Sequence, residues 1–466
     1  MTMLAPKARQ QAARSFGLLL ALLFVVALGV RLIRIGDRAF WTDEGYSAWL
    51  SAQPVAVIVG HDPFHPPLYP LLLKGWAALH PLLDGDGGRR LLSALAGALT
   101  VVVCTATVRA LGLPGAGLTA ALTTTSALGV WYSQEQRSVA LTALLLTVAA
   151  AALALLLSPR LLQPTRGHRR GGDGRHATPL PPLLLWAASG LAALLGVWTH
   201  YAMIPLLGAL SVAFLAAGWK RRDLLVGWSV VTALVMLGSL PLLPRLEDAL
   251  GQLSGHRFAE RAVLLFVPGV AALVLAGAGG WWVVRRHPAT ARPLLGRGAA
   301  VVILGLAAIM LTPAGNSIKR HLAVVAPLAL TSAAVSIAAW RPRLGPPLVA
   351  AGLPALALVL FLHPKEDWHG VAALLKAEEQ PGDVLVLYQG YQAIVLARYY
   401  NGALPLITFG EGEDPAQLAP KVAPASRVWL VEVNPTVPPS LVPTLEALRR
   451  KTVEQQFPRI RVARFE

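Results

Sequence analysis

The sequence predicts an α-helical polytopic membrane protein followed by a small C-terminal α/β domain. Hydrophobic residues make up 55% of the 466 residues and charged residues only 14%, whereas a soluble domain carries about 25% charged residues. Apolar runs of about 20 residues, the length that a bilayer requires, recur along the chain. The net charge of +17 falls in short basic clusters between these runs, which is typical of cytoplasmic loops. We therefore expect membrane lipids as partners, and no nucleic acid.

The apolar runs predict about eleven spans. They cover approximately residues 15–34, 91–111, 114–131, 138–157, 182–197, 202–218, 224–243, 262–284, 299–312, 321–340 and 346–362. The basic loops "WKRRD", "RRHPATARPLLGR" and "RPR" then lie on the same side as the N-terminus, and the positive-inside rule makes that side cytoplasmic. The C-terminal domain is thus predicted to be extracytoplasmic. The high Ala, Leu, Arg and Gly content fits a GC-rich bacterial genome, so we expect a bacterial inner or plasma membrane.

The domain boundary is predicted near residue 362. Residues 1–362 form the transmembrane domain, with a first outer loop over about 35–90, and residues 363–466 form the α/β domain. Within the latter, "GDVLVLYQG", "ALPLITF" and "RVWLVEV" are typical of short buried strands. The stretches "QAIVLARYY" and "LVPTLEALRRK" have helical spacing of apolar residues. About 100 residues suffice for one small domain.

The first outer loop carries an acidic pair, Asp43 and Glu44, in "FWTDEGYSAW". One interpretation makes the pair part of a helix start, with Thr42 or Asp43 as the N-cap and acids favoured in the first turn. The other is functional, because long loops are usually functional and "HDPFHPPLY" adds His65 and Tyr69 to this one. The stretches "YSAWLSA" and "PLYPLLLKGWAALH" predict amphipathic helices at the membrane interface.

A metal site in this loop is not predicted. His61 and His65 have the spacing of a helical zinc pair, but Pro63 and Pro66 are incompatible with the helix that this spacing requires. Whether a divalent cation assists the protein stays open. No other cofactor is expected, and the absence of GxxxxGK[ST] argues against nucleotide use.

Several basic residues lie at the predicted outer ends of spans. They are Arg90, Arg137, Lys319 and Arg320. Any one of them alone could extend to the interface or bind a lipid headgroup. As a set they run against the positive-inside bias, at the same depth as the acidic pair. An anionic ligand would explain them, and a phosphate held by Arg forks and a Lys point charge is the natural candidate.

Seven stretches occur in an order that resembles the polyprenyl-phosphate-sugar glycosyltransferases of the GT-C superfamily. They are "WTDEG", "HPPLYPLLLK", "RRLLSALAG", "YSQEQRSVALTALL", "WTHY", "KRHLAVVAPLAL" and "EDWHGVAALLKAEEQPGDVLVL". The likeness covers nearly the whole chain and is to the branch of the protein O-mannosyltransferases and lipid A aminoarabinose transferases. It implies an enzyme that transfers a sugar from a polyprenyl-phosphate carrier to a lipid, glycan or protein acceptor outside the cytoplasm.

The resemblance also implies roles for individual residues. Asp43 matches the position of the general base and Glu44 the second acid of the pair, which would orient Asp43 or bind the acceptor. Arg137 and Arg320 match basic positions near the donor phosphate. His65 stands where the aminoarabinose transferases carry a lysine, which leaves the phosphate contact of that loop open.

The chemistry of the transfer is consistent with these roles. A hydroxyl needs a base to become a good nucleophile, and the departing phosphate needs positive charge, which Arg137, Lys319 and Arg320 would supply. No second carboxylate is evident as a nucleophile, so we expect inversion at the anomeric carbon. His200 and Tyr201 either line the sugar pocket or anchor the helix end in the interface.

Two other function classes stay open. A transporter or flippase of lipid-linked sugars predicts charged or broken helices near the bilayer midplane, often in repeated halves. A non-catalytic scaffold predicts that Asp43→Asn leaves function intact.

Overall fold

The computed structural model describes residues 6–60, 65–158, 181–254, 288–308, 316–410, 413–433 and 441–466. The chain divides into two compact units. The first, here called the membrane unit, comprises Met1–Ile33, Val55–Leu72 and Arg90–Phe361. The second, the α/β unit, comprises Arg34–Pro54, Leu73–Arg89 and Leu362–Glu466. Two segments of the predicted first outer loop therefore belong to the same unit as the C-terminal domain.

Most of the described α-helices come first in the chain, and all five strands lie in its C-terminal part. The helices are α1 (Pro6–Leu32), α2 (Thr42–Ala52), α3 (Val55–Gly60), α4 (Leu68–Leu79), α5 (Asp86–Ala110), α6 (Ala116–Thr125), α7 (Ala127–Ser133), α8 (Val139–Leu157), α9 (Pro182–Thr199), α10 (Met203–Gly218), α11 (Arg222–Ser239), α12 (Leu243–Ser254), α13 (Pro288–Ala308), α14 (Asn316–Trp340), α15 (Gly345–Ala357), α16 (Trp368–Glu378), α17 (Ala393–Tyr399), α18 (Leu418–Val422) and α19 (Val442–Glu446). The strands are β1 (Asp383–Tyr388), β2 (Leu406–Phe409), β3 (Arg427–Val433), β4 (Lys451–Phe457) and β5 (Ile460–Phe465).

Seven helical segments in the described part of the chain are long and apolar enough to cross a membrane. They are Arg14–Leu32, Asp86–Ala110, Val139–Leu157, Pro182–Thr199, Arg222–Ala249, Ile318–Trp340 and Pro342–Leu362. Each overlaps a predicted span, so the protein is a multi-pass membrane protein, whereas the count of about eleven is not confirmed. The apolar helices Met203–Gly218 and Gly296–Ala307 are shorter. The predicted span 262–284 lies outside the described residues.

The predicted span over residues 114–131 is wrong as an unbroken helix. It is divided at Ser126, whose Oγ accepts a hydrogen bond from the Gly129 N–H at 3.2 Å and so caps α7. A serine in this position offers the backbone an alternative to the helical hydrogen bond. Because backbone groups freed in a membrane need partners inside the protein, the break depends on a neighbouring polar group.

Arg31 supplies hydrogen bonds at this break. Its side chain is 2% exposed and donates to the Thr123 carbonyl at 3.4 Å, to Ser133 Oγ at 3.2 Å and to its own helix at Ala27 O at 2.9 Å. The Gln134 amide in turn donates to the carbonyls at the end of α1, at 3.0 Å from Arg31 O. Helices α1, α6 and α7 are thus joined through satisfied polar groups rather than through apolar packing alone.

The α/β unit is built on a five-stranded sheet of order β2-β1-β3-β5-β4. Strand β1 pairs in parallel with both β2 and β3, with Leu385 opposite Leu406 and Trp429. Strands β3, β5 and β4 are antiparallel. The three strands predicted from sequence are confirmed as β1, β2 and β3. The hairpin β4–β5 was not predicted, and the helical prediction "LVPTLEALRRK" is right only to Glu446, because Lys451 begins β4.

The two faces of this sheet carry separate cores. Leu385 and Trp429 face a cluster with Trp368 of α16 and Leu396 of α17. The alternate residues of the same strands face a second cluster, lined by α18 and α19. This alternation follows the side-chain period of two in a strand. Helices cover both faces, which explains why the strands are nearly continuous runs of apolar residues.

Helix α2 packs closely against α17 within the α/β unit. A Cβ on Gly45 would lie 2.4 Å from Cγ2 of Val395, so only glycine allows this approach. Ala39, just before α2, lies in the same core cluster as Val395. The helix predicted from "YSAWLSA" is therefore part of the α/β unit's core.

Gly45→Ala is expected to destabilise the protein although alanine is the better helix former. The clash with Val395 costs about 1–3 kcal/mol, which outweighs a gain in helix propensity of about 1 kcal/mol. Thermal unfolding in detergent measures the change. Gly75→Ala, in α4 with no atom within 4 Å of the added Cβ, is the control and should not lower the Tm. Gly45→Ala with an unchanged Tm would contradict the close approach of α2 and α17.

Candidate functional site

The acidic pair lies in the first turn of α2, and its two members differ in environment. Glu44 is 0% exposed, and its Oε2 lies 3.1 Å from the buried ammonium of Lys365. Asp43, one residue earlier, is half-buried. The two carboxylates point to different surroundings because neighbouring residues of a helix face different sides.

The backbone of this turn is held by Glu366. Its Oε2 accepts hydrogen bonds from the Thr42 N–H at 3.0 Å and from the Trp368 indole at 2.9 Å. The Thr42 hydroxyl lies 3.0 Å from Glu366 Oε1 and 2.8 Å from Gln392 Oε1. Burial raises the pKa of the Glu366 carboxyl above its ordinary value.

The predicted N-cap of this helix is wrong. The capping position is Trp41, and no side chain at that position accepts a hydrogen bond. The Glu366 carboxylate, which is distant in sequence, replaces the cap. It accepts a hydrogen bond from the Thr42 N–H, one of the backbone donors that a helix start leaves unsatisfied. The expected acids in the first turn are present, as Asp43 and Glu44.

A second group of polar residues lies at the ends of helices in the membrane unit. We call it the histidine–arginine cluster, and it consists of His65, Arg137, His200, Arg320 and His321. Arg137 Nη2 is 3.2 Å from His65 Nε2. The rings of His200 and His321 meet edge to face, with centroids 6.1 Å apart. Arg137 lies just before α8, His200 just after α9, and Arg320 in the first turns of α14.

His200 lies among the other members of the cluster. Burial is the largest cause, and repulsion from His321, His65, Arg320 and Arg137 acts in the same direction; together they lower the pKa of His200 to about 3. The imidazole is therefore neutral at physiological pH. Its Nδ1 accepts a hydrogen bond from the Ala202 N–H at 3.0 Å, so the neutral ring carries its proton on Nε2. The cluster combines permanent positive charge with a neutral donor, which suits an anion that also bears hydroxyl groups.

Hydrogen bonds from α4 and α5 support Arg137. Tyr69 Oη and Ser93 Oγ are 2.9 Å apart, and Ser93 Oγ lies 3.2 Å from the Arg137 carbonyl. Arg90, 1% exposed, precedes Ser93 by one turn of α5. The arrangement fixes the backbone that carries the Arg137 guanidinium.

The predicted site residues thus fall into two groups. His65, Arg137, His200 and Arg320 come together in the histidine–arginine cluster, with Tyr69 supporting Arg137 through Ser93. Lys319 is buried beside Arg320 in sequence, and Tyr201 follows His200. Asp43 and Glu44 lie in the α/β unit.

Other residues of these groups were not predicted. They are Arg245, His321, Lys365, Glu366 and Gln392. Arg245 donates to the His65 carbonyl at 3.0 Å. It could have been found, since it follows the predicted span 224–243 on the outer side, where a basic residue is unusual. His321 stands in "KRH", next to two residues that were predicted.

No group of His, Cys, Asp and Glu suited to a metal ion occurs among the residues that the structure describes. His61, one half of the pair with zinc-like spacing, lies outside those residues, as does Asp62.

The sequence matches no protein-family model and no curated protein. Several solved structures are similar to it. ArnT from Cupriavidus metallidurans in the apo state is 17% identical, with 97% of this chain and 98% of that chain covered and a TM-score of 0.46. The oligosaccharyltransferase AglB from Archaeoglobus fulgidus, in complex with an inhibitory peptide and a dolichol-phosphate, is 13% identical, with 90% and 69% covered and a TM-score of 0.50. The chain has the GT-C fold.

The GT-C fold was predicted from the order of short motifs and is confirmed. It accounts for the combination of many apolar helices with one small sheet domain. The AglB similarity extends over most of both chains, so it concerns the GT-C arrangement as a whole and not a single helical hairpin.

The neutral state of His200 is expected to make stability depend on pH. An unfolded chain takes up a proton at His200 near pH 6.5, whereas the folded protein does so only near pH 3. Stability is therefore lost as pH falls from 6.5 towards 3, by up to about 1.4 kcal/mol per pH unit. His200→Asn should flatten the fall in Tm of the purified protein between pH 6.5 and 4.5.

His80→Asn is the matched control. His80 is exposed and its Nδ1 accepts a hydrogen bond from the Leu82 N–H, a contact that asparagine can also make. The slope of Tm against pH in His80→Asn should equal that of the wild type. A slope in His200→Asn as steep as that of the wild type would contradict the buried neutral imidazole.

Proposed function

We propose that this GT-C protein is a membrane glycosyltransferase that moves a sugar from a polyprenyl-phosphate-linked donor to an acceptor hydroxyl or similar nucleophile, with inversion. The observation that carries the proposal is the histidine–arginine cluster at the ends of membrane helices. A lipid phosphate lies at the same depth, at the border of the hydrocarbon core. The AglB structure holds a dolichol-phosphate and a peptide, which is consistent with a lipid-linked donor and a separate acceptor.

The cluster suits a phosphate for electrostatic reasons. Arg137 and Arg320 carry permanent charge, and a guanidinium can bind two phosphate oxygens at once. The lowered pKa of His200 comes first from burial and then from the neighbouring positive and titratable groups, and in such a buried site a charge acts more strongly than it does at an exposed surface. We assign Arg137, Lys319, Arg320 and Arg90 to the donor phosphate.

The reaction would proceed in one displacement. The acceptor oxygen attacks the anomeric carbon while its proton passes to the carboxylate of Asp43. The bond from that carbon to the phosphate oxygen breaks, and the polyprenyl phosphate leaves as an anion stabilised by the arginines and Lys319. No acid is needed, since the phosphate is a stable leaving group. Attack from the opposite side inverts the anomeric centre.

Residues around this chemistry receive supporting roles in the proposal. Glu44 is buried and paired with Lys365, which favours orientation of the turn over contact with the acceptor. His200 offers its Nε2–H to the sugar, and His65, Tyr69 and Tyr201 complete the sugar pocket. The acceptor is a lipid, a glycan or a protein, and the reaction takes place on the extracytoplasmic side of a bacterial inner membrane.

One observation favours a transporter of lipid-linked sugars as a second candidate. The break between α6 and α7 at Ser126 is a broken helix of the kind that transporters use. Arg31 satisfies that break with its own hydrogen bonds, however, and such internal satisfaction suits a structural role. Movement of labelled lipid-linked sugar across liposomes without transfer to an acceptor would identify the transporter.

Asp43→Asn is expected to lower the rate of transfer by about 10²- to 10⁴-fold, because the amide cannot accept the acceptor's proton. The measurement is transfer of radiolabelled sugar from a panel of polyprenyl-phosphate hexoses and pentoses, in membranes with matched amounts of each variant. Asp37→Asn, whose carboxylate is 51% exposed and pairs with Arg34, is the control and should be fully active. Wild-type transfer by Asp43→Asn would remove Asp43 from the chemistry.

Arg137→Gln and Arg320→Gln are each expected to lower kcat/KM for the donor by about 10- to 100-fold, the value of a charged hydrogen bond. Arg343→Gln, at an exposed residue, should be unaffected. The anomeric configuration of the product, read by NMR, tests the mechanism in the same preparation. Retention of the donor's configuration would exclude a single displacement.

A further inference from the structure

Two consecutive residues of the α/β unit contact the residues on either side of Asp43. Lys365 reaches forward to Glu44, with Nζ 3.1 Å from Oε2 and both side chains at most 4% exposed. Glu366 reaches back to Thr42, accepting its N–H at 3.0 Å. The residues before and after Asp43 are therefore both fixed, and by the same short stretch of chain.

The grip on Thr42 is itself supported. The indole of Trp368, which is 0% exposed, donates to Glu366 Oε2 at 2.9 Å. Gln392 Oε1 lies 2.8 Å from the Thr42 hydroxyl. The carboxylate of Glu366 is thus locked in one orientation by neighbours within the same unit.

The helix that follows the turn cannot shift either. Gly45 lies so close to Val395 that an added Cβ would clash at 2.4 Å. A general base must be held within a few tenths of an ångström of its working position to be effective. The turn Thr42–Gly45 has this property through contacts that do not involve the Asp43 side chain itself.

We infer that Lys365 and Glu366 are positioning residues that hold the turn Thr42–Gly45 so that Asp43 can act as the base. The inference rests on the proposed function. Lys365 also neutralises Glu44, so that the negative charge of Glu44 is not left beside the base. Neither residue touches the substrate in this scheme.

The charge role predicts a specific effect on the pH dependence of the reaction. Without the Lys365 ammonium, the Glu44 carboxylate loses this positive neighbour, and its negative charge favours the protonated form of the base. The charged groups near the turn also include Glu366 and Arg459, whose charge acts on Glu366. Both are unchanged in a Lys365 variant, so a shift would report the loss of Lys365.

The test compares Lys365→Met, Lys365→Arg and the double variant Glu44→Gln/Lys365→Met in purified, membrane-reconstituted protein. Lys365→Met should lower kcat at least 10-fold, with KM for the donor nearly unchanged, and move the acid limb of the kcat profile up by about one pH unit. Lys365→Arg should restore both. The double variant should return the acid limb to its wild-type position, because neither charge remains, while kcat stays low.

A second pair of variants tests Glu366. Glu366→Gln retains an acceptor for the Thr42 N–H and should keep kcat within about threefold of wild type, whereas Glu366→Leu should lower it at least 10-fold. Hydrogen exchange of the peptide spanning 40–50, measured without substrate, should be faster in Glu366→Leu and Lys365→Met. The control is Lys451→Met, which breaks two partly exposed ion pairs of the same unit, with Glu446 and Glu454, and should change none of these readouts.

The outcomes separate this inference from the proposed function. Lys365→Met and Glu366→Leu with wild-type kcat and an unshifted acid limb would overturn the inference, even if abundance or Tm fell, since only stability would then depend on them. Hydrogen exchange of the 40–50 peptide at the wild-type rate in both variants would also overturn the inference. This measurement does not require an assay of sugar transfer. Wild-type activity in Asp43→Asn would instead defeat the proposed base, whatever the Lys365 variants do.

Discussion

The pairing of polar groups that have been taken out of water governs both units of this protein. A buried charge or backbone amide without a partner costs several kcal/mol, so each one must find its partner within the chain. In the membrane unit, Arg31 does this with three hydrogen bonds, one within α1 and two to α6 and α7 beside the break between them. In the α/β unit, Lys365 and Glu366 do it for the first turn of α2. Where these groups are satisfied, the backbone has one conformation.

This pairing gives the C-terminal domain a part in building the acidic turn. If a side chain next to the helix start had capped α2, the cap and the turn could have moved together with the helix. Glu366 and Gln392 come instead from the segments around β1, so the turn takes its position from the sheet. Trp368 and Val395 belong to one core cluster. By holding the turn, this core also determines the position of the half-buried Asp43 carboxylate.

Hydropathy was sufficient to find most of the architecture. The spans around Val139–Leu157 and Ile318–Trp340 have long apolar runs, and β1 to β3 have Val- and Leu-rich runs bounded by Gly or Pro. The break at Ser126 was missed because the apolar residues on both sides of the polar run 123–126 together reach the length of one span. The hairpin β4–β5 escaped because its charged residues, such as Lys451 and Glu454, obscure the alternation.

The sites were predicted as residue types and not as contacts. Arg137 and Arg320 stood out because basic residues outside the cytoplasm are unusual, and Asp43 and Glu44 because they are adjacent acids in a long loop. The partners of these residues carry no such local signal. Lys365 and Glu44 are 321 positions apart, and one sequence without relatives contains nothing that joins them. Burial then separates Glu44 from Asp43, although the sequence presents them as equivalent.

Glu44 and Lys365 are far apart in the sequence, and this separation determines when the ion pair can form during biosynthesis. Lys365 leaves the ribosome only after Leu362, where the last described span ends, whereas Glu44 is made soon after the first span. Closing so long a loop is slow and carries an entropic cost that grows with its length. A chain that stalls just before Lys365 would have every described span but would lack the partner of Glu44. Fixing of the turn therefore follows the synthesis of the described membrane helices, because it requires the chain as far as Lys365 and Glu366.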